Sequence, residues 1–453
     1  MASSNPSGSI ARITKEIANI QKGSDLSLAV AFKDTDVRHV RALIVGPPDT
    51  PYEFGFFEFS IKFGHDYPIK APSVRCITTN YGRTRFNPNI YNCGKVCLSI
   101  LGTWEGEPGE QWSSAQGLES VLLSVQSLMS AHPYENEPGF EGMSKKEETK
   151  PRNYIAKIRH ETIRIAVLQR LETLLDIGED ATLVTPTRRS KEKTYSAEVA
   201  YQALTEPWDP FADLLKRRFL WYYDTYAKTI ERASSEQRDG ERFDIMEFEG
   251  GNSNWMIGRF EYKRLEQRLK NVAQALEKER KDWEREGAQQ VQQQTQPAVQ
   301  LAFQFKQLQQ RWNQGTYSCA KKEISLPDPT NPFVWNLTLF GKPMSNLDGG
   351  VFNITLSIPP NFPEAQPRAK METPIFHRRV TSAGYLCYFP PKPEEISSHL
   401  QAIVAALEDD ENPTFDPRAV VNIAAFDLFW GGEEKRKVYH RKLRRSAQES
   451  SEF

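Results

Sequence analysis

Arg85-Phe86-Asn87-Pro88-Asn89-Ile90-Tyr91-Asn92-Cys93-Gly94-Lys95-Val96-Cys97-Leu98-Ser99-Ile100-Leu101-Gly102-Thr103-Trp104 sets an amide and a thiol a fixed distance apart. Asn89 lies eight residues before Cys97, with a turn at Gly94 between them. Asn87-Pro88-Asn89 suits a tight, rigid turn, because Pro88 fixes φ and removes a donor. A cysteine sulfur can hold an acyl group as a thioester, and a neighbouring amide donor can steady the oxyanion formed when an amine attacks it. The same residues also fit a buried structural cysteine beside an ordinary turn, since free cysteine is among the most buried residue types. On this stretch alone both readings stay open.

Working outward, Ile10, Ile13, Ile17 and Ile20 recur at helical spacing, with Arg12 and Lys15 on the other side, and predict an amphipathic first helix over 10–22. Strand-like runs follow at 28–32, 37–45 and 56–63, with turn chemistry at Gly46-Pro47-Pro48-Asp49. Tyr67-Pro68-Ile69-Lys70-Ala71-Pro72 reads as a stiff extended loop. Beyond the cysteine stretch, Leu118 to Met129 predicts a second helix, and Asn136-Glu137-Pro138 a loop. A helix, an antiparallel meander and a Pro-rich loop indicate an α+β domain.

Residues 150–286 read as mostly helical. Ile155, Ile158, Ile163, Val167, Leu168, Leu171, Leu174 and Leu175 trace one helix face; Phe219 to Tyr223 is an aromatic cluster in another helix; Leu265, Leu269, Val272 and Leu276 stripe a third. Stretches 178–194 and 233–254 read as loops, and the Gln run at 289–296 as a linker or a polar extension of the long helix. The chain also repeats itself. Gly46, Gly55, Phe57, Pro68 and Pro72 recur as Gly341, Gly350, Phe352, Pro363 and Pro367 at a common offset of 295, and Cys97 recurs as Cys387 at an offset of 290. The expected organisation is a core at 8–150, a helical extension at 151–287, a linker at 288–297 and a second copy at 298–446.

Composition adds bounds. With 453 residues, 39% hydrophobic and 26% charged, the chain has the make-up of a globular protein. A net charge of −1 gives no overall attraction to nucleic acid or acidic membranes, and neither is an expected partner. No apolar run is long enough to cross a bilayer, and the first residues lack the apolar core of a signal peptide. Five cysteines, Cys76, Cys93, Cys97, Cys319 and Cys387, suit free thiols in a reducing compartment. Cys93 and Cys97 have no second close pair to complete a zinc set, so no metal is expected.

The first copy resembles the catalytic core of ubiquitin-conjugating enzymes (E2). It does so through Tyr67-Pro68-Ile69-Lys70-Ala71-Pro72, Asn87-Pro88-Asn89, Cys97, Trp112-Ser113-Ser114-Ala115 and Glu137-Pro138. The resemblance implies two ubiquitin-conjugating-type α+β domains, each an antiparallel meander flanked by helices, joined by the helical insert. It implies that an activating enzyme (E1), which consumes ATP on its own surface, hands ubiquitin or a ubiquitin-like modifier to Cys97. A substrate lysine presented by a ligase (E3) then attacks; no cofactor is bound by the chain itself.

Residue by residue, Asn89 is the implied oxyanion donor and Glu137 an acidic gate that orients and desolvates the lysine, against a solvated loop carboxylate. Arg12 and Lys15 are implied contacts for the activating enzyme, against a solvated helix face. Ile69, Ser113 and Ser114 are implied ligase contacts, Ile69 against ordinary loop packing; Ser114 stands where the family has Pro. Asn87 replaces a His usually read as structural. Trp104 and Trp112 are expected in the core around the loop beyond Cys97.

The second copy resembles the fold more weakly: Arg379 stands at the Asn position eight residues before Cys387, and Asp416 at the acidic gate. A regulatory or binding role is expected for it. The alternatives are a non-catalytic ubiquitin-binding scaffold and activity at Cys387. A cytoplasmic location is expected. The basic tail from Lys435 to Arg445 reads as a solvated helix, with a nuclear address as its other reading.

Overall fold

In the computed structural model, residues 6–23, 26–143, 149–179, 208–250, 256–313, 322–408 and 415–452 are described. Cys319 and nearly all of the predicted loop at 178–194 lie outside them. By contacts the chain divides into two units, one of Met1–Ala212 with Thr229–Leu269, the other of Asp213–Lys228 with Lys270–Phe453. Residues of the predicted helical extension fall in both units.

In the first unit, α1 (Pro6–Lys22) buries Ile13, Ile17 and Ile20 and leaves Ile10 exposed. Strands β1 (Leu28–Lys33), β2 (Asp36–Val45), β3 (Phe56–Lys62) and β4 (Ser73–Cys76) form one antiparallel sheet in sequential order. Val45 pairs with Phe56, and Phe59 with Cys76. The β2–β3 turn requires Gly46, because an added Cβ would meet the Tyr52 carbonyl oxygen at 1.8 Å. Helix α2 (Leu118–Ser127) packs Leu118, Leu122 and Val125 into the same core as the sheet.

Helix α3 (Thr149–Glu161) continues through a π-helical stretch, Thr162–Gln169, into α4 (Arg170–Leu174). The sequence predicts one apolar stripe here. Ile158, Ile163, Ile165, Ala166, Val167, Leu168 and Leu171 are all buried, as in a helix enclosed on most of its surface. Its burial includes charge. Glu58 of β3 is held between Arg41 and Arg170, and Arg170 also pairs with Asp209.

Helix α5 (Ala212–Glu236) runs into the region predicted as loop, and α6 (Tyr262–Gln292) carries the start of the Gln run. Of the two readings of that run, the helical extension holds as far as Gln292; a short turn then leads into α7 (Gln296–Asn313).

The second unit repeats the first in register. β5 (Lys322–Ser325), β6 (Val334–Phe340), β7 (Val351–Ser357) and β8 (Arg368–Met371) form a second sequential antiparallel sheet. Phe340 pairs with Val351 and Ile354 with Met371, each 295 residues beyond its counterpart. Gly341 repeats the constraint at Gly46: its Cβ would meet the Leu347 carbonyl oxygen at 1.6 Å. Pro68 and Pro363 both follow cis peptide bonds. Helices α8 (Ile396–Glu408), α9 (Ile423–Trp430) and α10 (Glu433–Glu449) follow, the last being the basic tail. Among the described residues, no helix is long and apolar enough to cross a membrane.

Candidate active site

The cysteine stretch is a tight hairpin docked on β4. Gly94 donates to Tyr91 O at 2.9 Å, and Tyr91 donates to Lys95 O at 2.9 Å. Gly94 has φ +85°, and a Cβ there would meet Cys76 O at 2.5 Å, while its own carbonyl accepts from Cys76 N at 2.8 Å. The turn therefore has room only for glycine, and it folds the eight-residue spacing back on itself. Cys97 N donates to Asn89 O at 2.9 Å, and Asn89 Nδ2 donates to Cys97 O at 3.0 Å. The amide is brought to the cysteine, as the spacing predicts, but its donor is engaged with the peptide carbonyl of Cys97. Cys97 is 4% exposed.

Past the sulfur, Ser99–Leu101 makes one 3-10 turn closed by Gly102 at φ 64°. Thr103 latches it: its hydroxyl donates to Val96 O at 2.7 Å and accepts from Leu98 N at 3.0 Å. Trp104 is not core; it is 49% exposed. The latch uses the Thr103 hydroxyl and asks nothing of the next ring. Trp112 is half-buried, and its Nε1 donates to Pro68 O at 2.8 Å, so it braces the Pro-rich loop.

The turn itself is organised by Asn87, which is fully buried. Its Nδ2 donates to Tyr52 Oη at 3.0 Å and Leu128 O at 2.8 Å, and its Oδ1 accepts from Asn89 N at 2.9 Å and Asn136 Nδ2 at 3.3 Å. A structural role for this position accords with those contacts.

Glu137 sits at the rim, 3.7 Å from Arg85 Nη2. Burial pushes its carboxyl above the ordinary range and Arg85 opposes this. It is neither a solvated loop carboxylate nor an unpartnered gate. Burial also raises the Tyr91 hydroxyl, with Cys97 the next contributor. Arg85, Tyr91, Thr103 and Asn136 were not singled out by sequence reasoning, because none carries a motif outside its partners.

The outlying candidates divide. Arg12 is committed within the fold: it donates to Glu16 at 2.8 Å and Gln116 O at 2.7 Å and lies over the Tyr67 ring at 5.9 Å. Lys15, Ser113 and Ser114 are exposed, and Ile69 is 59% exposed.

In the second copy the scaffold persists and the chemistry changes. Gly384 has φ +87°, and its Cβ would meet Met371 O at 2.6 Å; Cys387 N donates to Arg379 O at 2.8 Å. His377 takes the place of Asn87, and its Nδ1 accepts from Arg379 N at 3.1 Å. Burial, with Arg378 and Arg379 nearby, lowers that imidazole to about 3. The other face of the site is closed by the middle of α5. Trp221 Nε1 donates to Leu386 O at 3.1 Å, Trp221 meets Phe389 edge-on at 5.5 Å, and Tyr222 Oη donates to Arg418 O at 2.8 Å. Cys387 is fully buried, and burial pushes its thiol up to about 11 against the pull of Arg379. Asp416 caps a turn by accepting from Arg418 N at 2.8 Å.

Comparison with known proteins adds relatives. The sequence model for "Ubiquitin-conjugating enzyme" matches residues 12–162 and 300–390, together more than half of the chain. Ubiquitin-conjugating enzyme E2 Z of Xenopus tropicalis is 50% identical over 163 residues, covering 36% of this chain and 50% of its own. The Homo sapiens E2 Z is 50% identical over 161 residues, covering 36% and 44%. The probable ubiquitin-conjugating enzyme protein 17 of Caenorhabditis elegans is 44% identical over 169 residues, covering 36% and 23%. The chain thus spans half or less of the length of these curated relatives. A solved E2 domain of a Toxoplasma gondii ubiquitin conjugating enzyme is 30% identical and covers 34% of this chain and 97% of its own; its TM-score of 0.28 is too low to bear on the fold.

Proposed function

The chain belongs to the ubiquitin-conjugating enzyme family, and from that premise we propose that Cys97 is its modifier-carrying residue. The Cys97 thiolate attacks the thioester carbonyl joining ubiquitin, or a ubiquitin-like modifier, to the activating enzyme; the enzyme's thiolate leaves. A substrate lysine amine, presented by a ligase, attacks the new thioester; the Cys97 thiolate leaves, and the amine loses a proton. The supporting observation is the reciprocal pair of bonds between Cys97 and Asn89, which keeps an amide donor at the reacting residue. To serve an oxyanion, Asn89 Nδ2 exchanges its bond to Cys97 O for one to the tetrahedral intermediate. Loss of such a donor costs about 10²–10³ in rate. Glu137 would receive the incoming ammonium at the rim.

In the second copy we infer a non-catalytic domain. A thiol with no exposed surface and a raised pKa supplies little nucleophilic thiolate at neutral pH.

One observation favours a second reading, a binding scaffold: the Cys97 residue is itself only 4% exposed. The test is incubation of the full chain with activating enzyme, ATP and ubiquitin. The expected adduct is reducible, is lost in Cys97→Ala and persists in Cys387→Ala. An adduct that survives Cys97→Ala and vanishes in Cys387→Ala moves the activity to the second copy. No adduct across a panel of activating enzyme and modifier pairs leaves the scaffold.

A further inference from the structure

Phe248 lies 163 residues from Arg85 in sequence, yet its main-chain carbonyl accepts from Arg85 Nη1 at 2.6 Å. Arg85 is 3% exposed. Its Nη2 donates to Pro88 O within the Asn-Pro-Asn turn and stands 3.7 Å from Glu137 Oε2. Its guanidinium lies over the rings of Tyr91 at 4.3 Å and Phe248 at 5.5 Å. One planar cation therefore touches the turn that carries Asn89, the loop that carries Glu137 and a segment of the helical insert.

That segment is anchored in its own right. Lys157 Nζ donates to both carboxylate oxygens of Glu249 at 2.6 Å and to Asp244 O at 2.8 Å, and Glu249 accepts from Met246 N at 3.1 Å. Both charged side chains are fully buried. Charges are so enclosed only where partners satisfy them. Phe248 packs against Tyr154 at 5.3 Å, Tyr134 at 5.4 Å and Phe140 at 6.2 Å between ring centres.

We propose that residues 244–249 are part of the transfer site, with Phe248 holding Arg85 and Arg85 acting as the positioning residue that sets Glu137 beside the path of the amine to Cys97. This rests on the reading that Cys97 carries the modifier. Arg85 suits the task because its flat fork addresses several oxygens at fixed angles, which a lysine ammonium does not. Its Nη1 and Nη2 donors go to carbonyls, so it acts on Glu137 through space and leaves that carboxylate open to an incoming ammonium. The ionisable groups facing Glu137 are Arg85, Tyr91 and Tyr154 of α3. Burial raises Glu137 and Arg85 opposes it. Without the cation, Glu137 protonates at higher pH.

The test charges the full chain with ubiquitin and follows single-turnover discharge to free lysine across pH, for Arg85→Met, Arg85→Lys and Phe248→Leu. Arg85→Met is expected to accept ubiquitin on Cys97, to discharge it about tenfold or more slowly, and to move the acid limb of the profile to higher pH. Arg85→Lys is expected to return the limb towards wild type without restoring the rate. Phe248→Leu is expected to slow discharge without moving the limb, and it carries the test if Arg85→Met does not fold. Charged Arg85→Met with the wild-type rate and limb overturns the inference. So does Phe248→Leu at the wild-type rate, or charging and discharge that fall together with the limb unmoved. A wild-type chain that forms no thioester at Cys97 removes the proposed function as well, so the two failures are told apart at the charging step.

Discussion

Asn87→Ala removes the centre of a buried hydrogen-bond cluster, and its cost follows from what each partner retains. Tyr52 Oη still donates to Phe86 O at 2.7 Å, and Leu128 O still accepts from Asn136 Nδ2 at 2.9 Å. Asn136 keeps that same bond. The group left stranded is the Asn89 N–H, whose acceptor is Asn87 Oδ1. A fully buried donor without a partner costs about 1–3 kcal/mol; Asn89 is half-buried, which lessens this, and the volume vacated by Asn87 adds to it, so roughly 2 kcal/mol is expected at the turn. Because the chain has two units, a single unfolding free energy is a poor gauge. Amide exchange at Asn89 is the direct one. A local loss of about 2 kcal/mol corresponds to roughly thirtyfold faster exchange. Discharge of a thioester at Cys97 is expected to fall with it, because the Asn89 main chain is no longer held.

The second copy supplies the control. There His377 Nδ1 accepts from the equivalent N–H at 3.1 Å. Its Nε2 has no hydrogen-bond partner among the described residues, and the position of Tyr52 is held by Leu347. In the first copy that nitrogen would meet the Tyr52 hydroxyl, so Asn87→His is expected to restore most of the protection and rate. Wild-type exchange and discharge in Asn87→Ala, or equal losses in the Ala and His variants, would refute the reasoning.

Three more outcomes are expected. Gly94→Ala and Gly384→Ala each force a Cβ against a carbonyl at positive φ, so thermal scans should show similar destabilisation, while only Gly94→Ala slows charging at Cys97. Glu58→Gln leaves Arg41 facing a neutral amide in the interior and should cost about 3 kcal/mol, read as a lower first thermal transition; an unchanged transition would discount the buried charge cluster. Burial pushes Glu161 up, but hydrogen bonds from Arg164 and His160 outweigh it and hold the carboxyl at about 2. Its contribution is therefore present above the ordinary value of 4.5 and is lost as pH falls from there towards 2, up to about 3 kcal/mol. Glu161→Gln should flatten that acid limb in a pH series of thermal scans.

Local information carried a good part of this protein. The isoleucine spacing of α1, the three longer strands of the first sheet and the glycine and proline repeat at offset 295 are set within a few residues or by self-similarity. The Asn89–Cys97 pair was legible for the same reason: a hairpin closed at Gly94 converts an eight-residue spacing into contact without help from elsewhere. What remained hidden depends on segments far apart in the chain. Nothing in the residues around Phe248 marks it as Arg85's partner, and nothing near Trp221 says that it will bond the carbonyl of Leu386, 165 residues on and next to Cys387. Trp104 reads as core by its ring and is left in solvent because Thr103 already closes the turn. Arg12 reads as a docking cation or part of a solvated face, and its bond to the Gln116 carbonyl, across the domain, is marked by neither reading. The sequence determined which segments form and that they form twice. It also determined that one cysteine has an amide eight residues before it and the other an arginine. That Cys387 is shut beneath a helix was decided by tertiary packing, because burial and charge pairing are properties of neighbours that only folding brings together.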